Sequence, residues 1–382
     1  MLAIKNATIY TMAGDVVEDG CILIENGKFS KVGKGLTIPE GVKTIDAGGL
    51  MLTPGLVDGH CHIGIGEEGI GFEGRDYNEL SDPVVPHLRA IDGIYPYDTG
   101  LKQAYEGGTT TVVTGPGSAN SVGGTFVAMK TYGRRVDDMI VKDPCAMKIA
   151  FGENVKRVYQ EKGLVTRMGN MARLRELLYK AQEYLAKKEK EDPEKRPAYD
   201  IKLEAMIPVL KKQIPLKAHA HRTDDIFTAI RLAKEFDLNM TLDHCTEGHL
   251  IADILAEEGY PALVGPNMTT ASKYELRNRD FTTPGVLTRA GVKVGIVTDH
   301  SVIAIHLLPI CAGMAVKAGM DEYETLKAIT INPAEINGIA DRVGSIEPGK
   351  DADLVIWTKN PVKDLDCKVK CTVINGEVVY EA

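Results

Sequence analysis

Apolar side chains recur at strand period in Ala3-Ile-Lys-Asn-Ala-Thr-Ile9 and in Cys21-Ile-Leu-Ile-Glu-Asn-Gly-Lys28. The Asn26-Gly27 pair that ends the second segment is what a two-residue hairpin turn requires, so the two segments resemble hairpin strands. The same pattern returns at the other end of the chain, where Asp353-Leu-Val-Ile-Trp357 and Cys371-Thr-Val-Ile-Asn375-Gly376-Glu-Val-Val-Tyr380 surround a second Asn-Gly turn. This predicts one small β domain, a β-sandwich, built from residues 1–52 and 344–382. Between them, strand-sized apolar runs alternate with amphipathic stretches, the pattern of parallel strands with crossover helices. The runs are 56–62, 109–114, 146–151, 216–219, 240–244, 262–264 and 294–298, and a further one at 124–130 makes up the eight that a (β/α)8 TIM barrel over 53–343 requires.

Helix-spaced apolar residues fill the gaps. Leu174, Leu177, Leu178, Ala181 and Leu185 form one stripe, followed by a solvated charge run from Lys187 to Arg196 that Pro193 and Pro197 break. A second helix is expected over 224–236, with Asp224 or Thr223 as its cap and Ile226, Ile230 and Ala233 facing inward.

Composition narrows the function classes. With 44% hydrophobic and 26% charged residues the chain is an ordinary globular protein with no stretch long enough to span a membrane. Its 45 Lys plus Arg against 53 Asp plus Glu leave a net charge of −8, which opposes a nucleic-acid surface. Seven cysteines, an odd number scattered from Cys21 to Cys371, do not form a disulfide framework. Together with an N-terminus that lacks the features of a secretory signal, they lead us to expect a cytoplasmic protein.

Chemistry enters at Pro54-Gly55-Leu-Val-Asp-Gly-His60-Cys-His62. Side chains two apart on a strand share a face, so two imidazoles leave this strand end together as a divalent-metal chelate. His219, His244 and Asp299 close three later strand candidates, and in a barrel the carboxyl ends of the strands share one rim. Four histidines and one aspartate at successive strand ends are hard to attribute to packing.

Taken together, these motifs resemble the amidohydrolase superfamily. Thr330-Ile-Asn-Pro-Ala-Glu335 and Gly344-Ser-Ile-Glu-Pro-Gly-Lys-Asp-Ala-Asp-Leu-Val-Ile-Trp357 are similar to the segment with which such enzymes leave the barrel and re-enter the β domain. The nearest branch is the imidazolonepropionase-related one, which includes metal-dependent dipeptidases. The resemblance implies a distorted (β/α)8 barrel and a small-molecule substrate, with His60 and His62 as first-strand metal ligands. It further implies His219 and His244 as fifth- and sixth-strand ligands and Asp299 as an eighth-strand ligand that also serves as general base and acid. A divalent metal, Zn²⁺ being the expected ion, would be bound as one or two ions. A two-metal site needs a bridging anion, for which Lys148 (as a carbamate) and Glu153 are the candidates. Homo-oligomeric assembly is expected.

His221, two residues after His219, is assigned to the substrate side of the site as a hydrogen-bond donor. Lys273 or Arg277, in the polar segment after the seventh strand, would recognise a substrate carboxylate. The long loop 64–98 is a candidate lid. His87, His249, His300 and His306 are weaker candidates for any role. The leading reading is a metal-dependent hydrolase of a C–N bond in an amide, cyclic amide or dipeptide, with Asp299 and His244 in the catalytic machinery. The nearest rival is a deaminase of a small heterocycle, although Arg222 stands where related deaminases place a glutamate. A catalytically silent assembly protein with the same barrel is the rival from a different class.

Overall fold

The computed structural model describes residues 1–382 as two hydrogen-bonded sheets. The first draws on both chain ends. Its strand order is Glu377–Glu381, Val369–Ile374, Leu354–Trp357, Met51–Pro54, Leu2–Ile9, Val17–Glu25 and Lys28–Lys34, while Lys43–Asp46 pairs with the start of Leu2–Ile9. One core that includes Ile4, Ile22, Phe29, Leu52, Leu354, Ile356 and Val373 joins the two ends. Both Asn-Gly pairs are tight turns with positive φ, at 51° and 77° for Asn26 and Gly27 and at 49° and 75° for Asn375 and Gly376. The first turn joins Val17–Glu25 to Lys28–Lys34, not to the opening strand.

The second sheet is the barrel. Its eight strands, in spatial order as in sequence, are Leu56–Cys61, Thr109–Thr114, Val122–Lys130, Ile140–Ala150, Leu216–Ala220, Met240–His244, Ala262–Val264 and Val294–Ile296. They are not all parallel. The third strand runs antiparallel to both neighbours, against the expectation of a uniformly parallel barrel. The cause is chain length: a parallel crossover needs a dozen or more residues, and only residues 115–121 separate the second strand from the third. Gly123 and Gly124 lie inside this strand, near the rim where the parallel strands end, and its far end carries Lys130 to the β domain.

No ladder joins the eighth strand to the first. The seam is closed by side chains and loops, including Thr298 on Asp58 and the His62 amide on the His300 carbonyl at 2.6 Å. Helices Arg167–Lys188, Ile201–Leu210 and Thr223–Phe236 cover the fourth to sixth strands over the largest apolar core, with Ile226, Ile230 and Ala233 buried. Neither Thr223 nor Asp224 caps the third of these. The Glu247 carboxylate, from the loop after the sixth strand, accepts the Thr223 amide at 2.8 Å instead. No helix is long and apolar enough to cross a membrane, and all seven cysteines are free thiols.

Candidate metal centre and active site

The rim that the seven parallel strands share gathers five imidazoles and two carboxylates. His60 and His62 leave the first strand on one face as their spacing predicts, and Asp299 Oδ1 lies 3.6 Å from His60 Nε2 and 3.2 Å from His62 Nε2. His219, His221 and His244 form a second group whose ligand atoms lie within 4.8 Å of one another. The groups adjoin, the His60 and His244 ring centroids being 5.1 Å apart. His244 and Asp299 have φ of 73° and 54°. Non-glycine residues held in this region cost about 1–3 kcal/mol each and cluster at functional sites, and here the curl turns both side chains over the rim.

Four of the five rings are anchored by a hydrogen bond at Nδ1. His62 Nδ1 meets the Gly115 carbonyl at 2.6 Å and His244 Nδ1 the Gly265 carbonyl at 2.7 Å. A carbonyl only accepts, so both rings carry hydrogen on Nδ1 and present a bare Nε2. Asp243 faces His60 Nδ1 at 2.9 Å, while the Ser118 and Thr246 hydroxyls hold His219 and His221 at 2.8 and 2.7 Å. Gly265 has no alternative residue, since a Cβ there would run into the Val297 carbonyl.

Burial depresses the basicity of four of these rings. It lowers His60, with the Lys148 charge adding, and it lowers His219, His221 and His244, so the imidazoles stay neutral as metal ligands must be. Burial works against an ionised Asp299, but His244 and His62 outweigh it and hold the carboxyl below its usual range. The same holds for Asp243, where Lys217 and His60 outweigh the cost of burial.

A cation fits this arrangement. His219 Nε2, His244 Nε2 and Asp299 Oδ1 are buried and lack any hydrogen-bond partner, a condition that a native structure tolerates only for a reason. Imidazole nitrogen with carboxylate oxygen is a donor set for Zn²⁺ and its neighbours. Lys148, fully buried on the fourth strand, places Nζ 3.5 Å from His60 Nε2, and burial pulls its pKa down to about 8 against the opposing charges of Asp243 and Asp299. Glu153 is elsewhere. Its carboxylate accepts the Glu275 amide at 2.8 Å, and Glu275 is the acid beside the second histidine group, 3.8 Å from His219 Nε2 and 3.7 Å from His221 Nε2.

A cavity of about 530 Å³ opens onto the site, with His62, His219, His221 and Asp299 in its wall. Lys273 lines it too, its ammonium 2.5 Å from Glu275. Arg277 does not line it and stacks on the Tyr274 ring at 4.0 Å. Tyr77 and Asn78 bring the loop 64–98 into the wall, Tyr77 stacking on His62. His300 is buried behind the rim, where its ring accepts the Ile305 amide; His306 bonds Gln103 and His249 bonds Thr283, both away from the cavity.

Four buried residues that the sequence analysis passed over support the site: Asp58, Lys217, Asp243 and Glu275. Lys217 had a readable signal, since it stands two before His219 on one strand face. Asp243 and Glu275 had none, because a bend at His244 and a loop fold bring them in.

A barrel whose rim joins imidazoles and an acid around a cation-sized gap defines a metal-dependent hydrolase. The chain belongs to the amidohydrolase family, whose model matches residues 51–379. It is 29% identical to amidohydrolase tasK of Hapsidospora irregularis over 94% of its own length, but spans only 41% of that protein. It is 26% identical to the imidazolonepropionase of Thermoplasma acidophilum, over 96% of this chain and 90% of that one. The crystal structure of an amidohydrolase from Thermotoga maritima superposes over all of both chains with a TM-score of 0.96 at 42% identity.

Proposed function

We propose that the chain hydrolyses a C–N bond in a small amide, cyclic amide or dipeptide. His60, His62, His219, His244 and Asp299 hold the divalent ion in this reading, with Zn²⁺ the expected occupant. The observation that carries it is the pair of adjoining groups, His60 with His62 and Asp299, and His219 with His221 and His244, in which His219 Nε2, His244 Nε2 and Asp299 Oδ1 are buried without a hydrogen-bond partner. Bound there, such an ion lowers the pKa of water to roughly 7 and polarises a carbonyl. Asp299, with its side chain 13% exposed at the cavity wall, accepts the proton of the attacking water and delivers it to the departing nitrogen as the C–N bond breaks. His221 Nε2 faces the same cavity and takes the role of a donor to the substrate.

Lys148 is the better placed of the two candidates for a bridging anion, because the Glu153 carboxylate is committed to the Glu275 amide. Lys273 is the better placed of the two candidate cations for a substrate carboxylate, since Arg277 stands outside the cavity. A screen of N-acyl amino acids, cyclic imides and dipeptides tests the reading. Carboxylate product that disappears in Asp299→Asn supports it; ammonia released without carboxylate would replace it with a deaminase.

A further inference from the structure

Lys217 is a fully buried cation that the reaction above does not use. It sits inside the barrel on the fifth strand, and both it and Asp243 have no exposed surface. Three oxygens from three other elements surround its Nζ: the Gly59 carbonyl at 3.1 Å, Asp243 Oδ1 at 3.5 Å and Asn337 Oδ1 at 3.5 Å. Asp243 is its ion-pair partner, and the Phe126 ring lies 5.4 Å away. The Thr241 hydroxyl also donates to Asp243 Oδ1, at 2.8 Å. The Lys217 ammonium lies 3.5 Å from both Asp243 oxygens and the Thr241 hydroxyl fixes Oδ1, so Oδ2 stands 2.9 Å from His60 Nδ1.

We infer that Lys217 is a positioning residue for the cation centre, acting through Asp243 on His60. It holds the Asp243 carboxylate against His60, with Oδ2 2.9 Å from Nδ1, and so fixes the ring whose Nε2 lies 3.6 Å from Asp299 and 3.5 Å from Lys148 Nζ. Partners of this kind set ring orientation and ligand basicity, and losing one typically costs 10- to 100-fold in metal affinity. The Gly59 carbonyl adds a second restraint, since it belongs to the residue before His60. A buried lysine that served packing alone would have no reason to distinguish His60 from the other ligands.

The inference rests on the cation site proposed above, and a binding experiment separates the two. Protein stripped with a chelator is titrated with Zn²⁺ against a competing indicator, for wild type, Lys217→Met, His60→Ala and the double variant. Lys217→Met is expected to bind Zn²⁺ about 10- to 100-fold more weakly than wild type. In the His60→Ala background it is expected to change affinity by less than about twofold, because the two substitutions break the same link. Unchanged affinity in Lys217→Met, or an equal loss on top of His60→Ala, overturns the inference and leaves the site reading intact. Absence of tight Zn²⁺ binding in wild type overturns both. Should Lys217→Met not fold, Asp243→Asn and Lys217→Met/Asp243→Asn take its place, with the same site-selective loss expected and the same additivity counting against it.

Discussion

Asp58 accepts hydrogen bonds from both the amide and the hydroxyl of Thr298, at 3.1 and 2.5 Å, across the one barrel seam that no backbone ladder closes. Asp58 also receives the His60 amide at 3.1 Å, so a single carboxylate ties the turn bearing Asp299 to the strand end bearing His60 and His62. Burial pushes its pKa up to about 6, which those hydrogen bonds oppose.

Removing the hydroxyl weakens that tie. Thr298→Val keeps the side-chain shape and takes one donor from a buried carboxylate, at an expected cost of about 1–3 kcal/mol in urea unfolding. Metal affinity falls with it because the seam positions Asp299. A Thr298→Val protein with wild-type stability and affinity would show that the seam is held by other means.

The histidines sort into two groups by position. His219→Ala and His244→Ala each remove a bare Nε2 from the site, and each is expected to lower bound metal and to reduce activity by at least about 100-fold, as loss of a ligand exceeds loss of a ligand's support. His306→Ala, which removes only a contact to Gln103, is expected to leave both unchanged. Metal analysis beside initial rates checks the contrast.

How much of this was legible without coordinates follows from what periodicity encodes. Runs of β-branched residues such as Thr109–Thr114 marked their strands, because such side chains suit a strand buried on both faces. Strand direction carries no such mark, so the reversal of Val122–Lys130 was hidden until its short connections were seen as a limit on crossover. The candidate ligands at the first strand's end were readable because His60 and His62 alternate in step. Asp243 was not, since it should face away from His244, and the positive φ of His244 breaks the alternation. Arg277 looked equivalent to Lys273 in a polar segment, and only the turn at Tyr274–Leu276 separates them.

Lys148 is testable as a modified residue. If its amine carries carbon dioxide as the bridging anion, protein equilibrated with ¹³C-bicarbonate and Zn²⁺ will show a protein-bound carbamate resonance, and Lys148→Ala will lack it. A signal that persists in the variant would assign the carbamate elsewhere, and no signal in either protein would leave the centre without this bridge.

The two chain ends are joined to the barrel by charge. Lys130, at the far end of the antiparallel strand, meets Asp353 at 2.5 Å and Asp351 at 3.1 Å, and Arg342 and Lys28 also reach Asp351. Lys130→Met leaves these carboxylates short of a partner, with an expected loss of about 3–5 kcal/mol in stability and intact metal binding. Burial works against an ionised Asp351, but Lys130 and the other cations hold its carboxyl below the usual range. Its stabilising contribution is therefore present above the unfolded value of about 4 and lost as pH falls through the lower folded one. Wild type should lose more stability than Lys130→Met between about pH 5 and pH 3. Equal acid sensitivity in denaturant melts would contradict the assignment.

Elemental analysis of the protein purified without added metal, beside His60→Ala prepared identically, goes to the centre of the account. It predicts about one to two equivalents of tightly bound divalent metal per chain in wild type and a clear deficit in the variant. Less than about half an equivalent in wild type after reconstitution, or equal content in the two proteins, would contradict a cation held by these imidazoles.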